Sequence, residues 1–224
     1  LKREKVVDGF CWCDGGTTYK IWRPHWPGVC FMTTALTITA LPYSSDPLAL
    51  FAKLRQRPGA VLLDSGRPKA TTGRYDILSS DPLATLKISP DGHTAFESDT
   101  LTLPPSLMGN SHAQQQWLLE QLPTANLKSE LPFLGGLMGY WSYDLGRNHT
   151  GIPSQHPPVT QLPLARLGLF DWCITFDHVT EQAWLVGSEQ RRKQVMEWLN
   201  EPATPSHAFR LTQPFIAELS QAEY

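Results

Sequence analysis

The run Gly135-Gly136-Leu137-Met138-Gly139-Tyr140-Trp141-Ser142-Tyr143-Asp144-Leu145-Gly146-Arg147 interrupts an apolar strand pattern with glycine. Residues 133–143 otherwise read as a buried strand. Glycine weakens a strand unless another backbone, a bulge or a ligand comes close. Gly135, Gly136 and Gly139 therefore point to close packing between strands. A phosphate-binding loop would place its glycines between a strand and a helix N-terminus, with Lys and Ser or Thr following. Tyr140-Trp141-Ser142-Tyr143 follows instead, which argues against nucleotide binding.

Upstream, residues 33–41 alternate loosely, as an edge strand does. Asp46-Pro47 supplies an N-cap and a first-turn proline. Leu48, Phe51 and Leu54 recur at helical spacing, and Pro58-Gly59 ends that helix. Residues 60–64 form an apolar run of strand length ending in Ser65-Gly66, and a second strand follows at 74–79. In residues 83–89, Leu86 and Ile88 alternate with Thr85 and Lys87, and Asp91-Gly92 turns the chain into a partner strand at 93–97. Residues 112–122 read as a helix with Trp117, Leu118 and Leu122 on one side.

Downstream, residues 148–163 read as an exposed loop. Residues 164–176 and 182–186 read as two strands joined by a tight turn, and 189–200 as an amphipathic helix with Val195, Trp198 and Leu199 inward. Asp144 with Arg147, and Asp76 with Arg74, are candidate ion pairs. His149, His156 and His178 read as loop residues without a paired nucleophile. Strands outnumber helices and hairpins are frequent, so the expected class is α+β with mainly antiparallel sheets and flanking helices.

The composition is that of a folded protein with a sizeable core. Of 224 residues, 41% are hydrophobic and 18% charged, and the formal net charge is −2. That balance offers no basic footprint for nucleic acid, and no apolar run reaches membrane-span length. Cys11, Cys13 and Cys30 precede Met32, the first methionine, and Cys173 lies in an apolar strand as an inert core thiol. Cys11-Trp12-Cys13 lacks the second ligand pair of a metal site. Residues 1–31 show no helical or strand period and are expected to be an upstream, non-native extension. The expected divisions are then 1–31, a domain at 32–205, and 206–224 as a linker into a further region.

Three blocks carry a family resemblance. The first is Leu62-Leu63-Asp64-Ser65-Gly66 with Arg74-Tyr75-Asp76-Ile77 and Asp81-Pro82. The second is Gly135-Gly136 through Tyr143-Asp144-Leu145-Gly146-Arg147. The third is Leu162-Pro163, Gly168-Leu169-Phe170-Asp171-Trp172 and Phe176-Asp177-His178. Together they resemble the N-terminal region of the chorismate-using synthases, and in particular component I of the aminodeoxychorismate synthases of para-aminobenzoate and folate synthesis. Ser65-Gly66 and the Tyr-Asp-Leu-Gly-Arg string favour that member. The alternative is the tryptophan-sensing N-terminal domain of anthranilate synthase component I, which usually carries Glu where this chain has Asp64.

The resemblance implies an intact enzyme that converts chorismate and ammonia to 4-amino-4-deoxychorismate in the cytoplasm, by amino-group transfer. It implies a glutamine amidotransferase as partner and Mg2+ as cofactor. Ser220-Gln221-Ala222-Glu223-Tyr224 resembles the opening of the chorismate-binding region, so the catalytic groups and magnesium carboxylates are expected outside this chain, which alone would be an inactive fragment. It also implies a pocket for L-tryptophan. By position, Ser65, Thr72, Gly73, Arg74 and Tyr75 match its lining, although Thr72-Gly73 replaces an aromatic-plus-serine pair. A zwitterion needs hydroxyl and backbone donors for its carboxylate and an acceptor for its ammonium, and an indole needs apolar walls.

Overall fold

The computed structural model describes residues 35–66, 73–122, 129–147, 162–202, 210–217, 219, 220 and 222, with backbone alone for 148–150. The expectations for residues 1–31, for Thr72 and His156, and for much of the 148–163 and 206–224 segments lie outside the described residues. In chain order the elements are β1 (Leu36–Leu41), α1 (Pro47–Leu54), β2 (Val61–Leu63), β3 (Tyr75–Ser79), β4 (Ala84–Ile88), β5 (Thr94–Glu97), α2 (Ser111–Glu120), β6 (Gly136–Trp141), α3 (Leu145–Thr150), β7 (Ala165–Phe170), β8 (Cys173–Asp177), β9 (Gln182–Ser188) and α4 (Glu189–Asn200). The strands form a five-stranded sheet, β1-β9-β8-β3-β2, and a four-stranded sheet, β5-β4-β7-β6. Every pairing among the described residues is antiparallel. The architecture is the α+β one expected.

Local signals account for the helix starts. The Asp46 carboxylate accepts the Leu48 N–H at 3.0 Å, Asn110 accepts the Ala113 N–H at 3.0 Å, and Ser188 accepts the Arg191 N–H at 3.1 Å. Each satisfies a backbone donor that the first helical turn leaves open. Val195, Trp198 and Leu199 of α4 face inward as expected. Leu48 does not: it is 57% exposed, and α1 packs through Leu50, Phe51 and Leu54 instead.

Three apolar layers result. Leu78, Ile174, Phe176 and Leu185 of the five-stranded sheet pack under α1 and α4. Ile77, Cys173 and Val186 on its other face meet Met138 and Phe170 of the second sheet. Leu86 and Leu169 of the second sheet pack against Leu118 of α2.

The glycine-rich strand is buried only at its start. Met138 is 5% exposed, whereas Trp141 is 49% exposed at an open sheet edge. Gly139 has φ +151°, and a Cβ there would run into the Arg166 carbonyl oxygen of β7. Close strand packing is therefore the reason for this glycine. Residues 145–150, expected in part as loop, form α3, which begins beside an Asp144–Arg147 ion pair of 2.8 Å.

The main correction concerns residues 164–176. They are not one strand: β7 belongs to the second sheet and β8 to the first, and the chain changes sheets at Asp171-Trp172. An unbroken apolar run gives no periodic signal of such a change. The outward crossing, residues 80–83 between β3 and β4, lies beside it. The Trp172 indole donates to the Ser80 carbonyl at 2.8 Å, and the Ser79 hydroxyl donates to the Trp172 carbonyl at 2.8 Å. Arg191 of α4 reaches both crossings, donating to Asp171 at 3.0 Å and to Asp81 at 2.7 Å.

Arg191 is mostly buried between these carboxylates, so its removal leaves two acids facing each other without a cation. Arg191→Ala is expected to lower unfolding stability in urea by about 2 kcal/mol. Arg191→Lys recovers only part of that, because an ammonium does not span two carboxylates as a guanidinium fork does.

Candidate functional site

Ser65 lies two residues past the end of β2, and Gly73 and Arg74 lead into Tyr75 at the start of β3, so the antiparallel pairing of these strands brings the two segments together. A Cβ on Gly73 would meet the Ser65 carbonyl oxygen and would lie 2.7 Å from the Ser65 hydroxyl. Only glycine allows this approach. Thr72 lies outside the described residues.

Arg74 and Tyr75 line a cleft of about 370 Å³ on the face of the five-stranded sheet that looks toward the second sheet. Ile38 of β1, Trp184 of β9 and Leu131 supply apolar wall, while Asp177 and Glu130 supply negative charge. The Arg74 guanidinium lies over the Tyr75 ring, 4.7 Å from its centroid. Ser65 and Gly73 stand next to this cleft in the chain without lining it. A larger groove of about 450 Å³ lies along β5, between Phe96, Leu101, Leu103 and Met108, and none of the sequence-derived residues reaches it.

The charge pairing differs from the sequence expectation. Arg74 does not pair with Asp76; it makes a two-nitrogen contact with Asp177, at 3.1 and 2.7 Å. The Arg74 guanidinium holds the Asp177 carboxyl down at about 2; burial opposes this, and the Val179 and Thr180 N–H groups assist it.

Asp76 instead faces the apolar, helix-covered side of β3. Its Oδ1 accepts the Ser65 N–H at 2.7 Å, and its Oδ2 lies 2.8 Å from His178 Nε2. Burial pushes the Asp76 carboxyl up, but the Ser65 N–H and the His178 ring outweigh burial and hold it below the ordinary range. His178 is not an exposed loop residue: its side chain is 4% exposed, and its Nδ1 lies 2.9 Å from the Tyr43 hydroxyl.

Sequence reasoning passed over Asp76, His178, Tyr43, Asp177 and Trp184 as site residues. The one signal available was Phe176-Asp177-His178 ending a strand whose partner begins with Arg74-Tyr75-Asp76. Cys173 is a buried free thiol whose pKa burial pushes up to about 12, so it is inert as expected. Among the described residues, no cluster of three or more His, Cys, Asp or Glu side chains could hold a metal ion, and no helix is long and apolar enough to cross a membrane.

Residues 59–224 match the family described as chorismate binding enzyme, and the chain belongs to that family. It is 31% identical to aminodeoxychorismate synthase component 1 of Klebsiella aerogenes, over 83% of this chain and 41% of that one. It is 31% identical to the protein of the same name from Salmonella typhimurium, over 86% of this chain and 42% of the other. Anthranilate synthase component 1 of Pseudomonas putida is 24% identical over 77% of this chain and 38% of its own length. The chain thus spans about two fifths of the length of the curated relatives it matches. Among solved structures, anthranilate synthase component I from Streptococcus pneumoniae matches with a TM-score of 0.44 and 22% identity, over 64% of this chain and 32% of that one.

The Arg74–Asp177 pair has a pH signature. An unfolded Asp titrates near about 3.9, and the folded group near about 2. A depressed folded pKa means that the stabilisation is fully present above the unfolded value and is lost as the pH falls between the two. The melting temperature of the wild-type chain should therefore exceed that of Asp177→Asn at neutral pH. The gap should narrow as the pH is lowered from about 4 toward 2, as read by thermal circular dichroism.

Proposed function

We propose that this chain is the N-terminal part of an aminodeoxychorismate synthase component I. The intact enzyme would take chorismate and ammonia to 4-amino-4-deoxychorismate by amino-group transfer, in the cytoplasm, with a glutamine amidotransferase supplying the ammonia. The observation that carries this reading is 31% identity, over most of this chain, to two proteins named aminodeoxychorismate synthase component 1. Proteins named anthranilate synthase match at 24% to 28% identity. In this reading the described residues provide scaffold and a ligand cleft. The Mg2+ expected of the intact enzyme has no carboxylate cradle among the described residues. The test is the product: the intact protein, given chorismate, ammonia and Mg2+, should yield 4-amino-4-deoxychorismate by liquid chromatography. Fluorescent anthranilate as the main product would overturn the assignment in favour of anthranilate synthase.

The ligand assigned to the cleft is L-tryptophan, with Arg74 and Tyr75 in its lining and Ser65, Gly73 and Thr72 as the other expected contacts. Trp184, Ile38 and Leu131 offer the apolar walls that an indole needs, and Arg74, Glu130 and Asp177 the charges that a zwitterion needs. Isothermal calorimetry should show saturable L-tryptophan binding that Ser65→Ala weakens by about tenfold, the worth of one hydrogen bond to a charged group. Equal affinity in the variant would remove Ser65 from the site.

A further inference from the structure

Gln114 is a polar residue on a face of α2 where the fold asks for an apolar one. Leu118, one turn on, shares that face, and both side chains are fully buried. Burying an amide is costly unless its polar atoms find partners. The Gln114 amide nitrogen does: it donates to the Thr94 hydroxyl oxygen at 3.1 Å and to the Leu107 carbonyl at 3.0 Å. A carbonyl only accepts, so the Leu107 contact fixes which way round the amide lies. The amide oxygen is then left with no hydrogen-bond partner among the described residues. A buried acceptor of this kind calls for an explanation in a folded protein.

Gln114 belongs to the lining of the 450 Å³ groove along β5. Thr94 and Phe96 lie two apart on β5 and share the face that looks toward α2. The Phe96 ring stands edge-on to Trp117 of that helix, 6.2 Å between centroids. Leu101, Leu103 and Met108 complete an apolar wall, and a volume of this size suits a small molecule. Lys, Arg, Asp and Glu are absent from the lining residues, and His93, with a side chain 86% exposed, is the one titratable group among them. A charged ligand would therefore lose hydration without gaining a counter-ion. The Thr94 hydroxyl oxygen accepts from Gln114, which leaves its own hydrogen to donate. An acceptor and a donor, joined through one amide nitrogen, thus stand beside an apolar wall.

We propose that the β5 groove is a second ligand site, for an uncharged molecule that carries a lactam or other cis-amide edge on an apolar body. The N–H of such an edge donates to Gln114 Oε1, and its carbonyl accepts from the Thr94 hydroxyl. Phe96, Leu101 and Leu103 take the apolar part. The groove shares no lining residue with the cleft at Arg74 and Tyr75, so the inference does not rest on the tryptophan reading.

The test compares 2-quinolone with coumarin, the lactone of the same shape in which a ring oxygen replaces the N–H. Both are titrated into the whole chain and followed by amide and side-chain NMR shifts. Saturable shifts should centre on Thr94, Phe96, Leu101 and the Gln114 side-chain amide. The wild type should bind 2-quinolone at least about tenfold more tightly than coumarin, since the lactone sets an acceptor against Gln114 Oε1. Gln114→Met removes the acceptor at similar volume and should bring the two affinities within about threefold of each other. Thr94→Val should weaken both compounds alike, because both carry the carbonyl, and should leave their ratio unchanged. If Gln114→Met fails to fold, the wild-type ratio and Thr94→Val decide the matter. Equal affinity for the two compounds in the wild type overturns the proposal, as does a Gln114→Met chain that keeps the full preference. Shifts centred on Tyr75 and Trp184 would place the compounds in the other cleft and overturn it too, and so would no binding of either compound.

Discussion

The fold depends on holding two chain crossings side by side. The chain leaves the five-stranded sheet after β3 and re-enters it before β8, and both passages must lie at one place for the sheets to pack. Arg191 bridges them, with Asp171 on one passage and Asp81 on the other. Trp172 fills the space between, fully buried, with its indole N–H on the Ser80 carbonyl and its ring edge-on to Trp198 of α4. The helix that covers the first sheet thus also carries the cation that keeps the second sheet attached. Asp81 adopts a positive φ of 52°, which costs a non-glycine residue energy and persists only where the surroundings over-determine it.

With the crossings held, the site forms as a consequence of register. β3 pairs with both β2 and β8, so it places Arg74 and Tyr75 beside the Ser65 turn on one side and the Asp177–His178 turn on the other. Each turn then takes an acid or a base from a neighbouring segment: Asp177 takes Arg74, and Asp76 takes Ser65 and His178. The pairing is crossed relative to the simplest expectation, which joins Arg74 to Asp76 within one strand. Residues two apart on a strand point to the same face, but Arg74 precedes the strand and turns toward the cleft, while Asp76 points into the layer beneath the helices.

The cleft and the network behind it also divide the chemistry. The cleft side has mixed charge and aromatic surface. The buried side has one carboxylate whose oxygens are committed to a serine backbone and a histidine ring. Family membership sets the context for both sides, and the chain spans only about two fifths of its curated relatives' length.

What the sequence alone determined lies within a few residues of its cause. The cap at Asp46, the Asp91-Gly92 hairpin, the alternation of Leu86 and Ile88 with Thr85 and Lys87, and the inward face of α4 are local and were legible. So was the need for glycine at 139, because a costly glycine in a strand implies a close neighbour. The family blocks were legible as well, since they are contiguous strings. The tertiary structure alone decided the sheet change inside residues 164–176, the exposure of Leu48 and the burial of His178. It also chose the partner of each charge: Asp76 and His178 are 102 residues apart, Arg74 and Asp177 are 103, and Asp81 and Arg191 are 110. Periodicity and capping report the geometry of one turn or one strand, whereas these pairings depend on the path of the whole chain through two sheets.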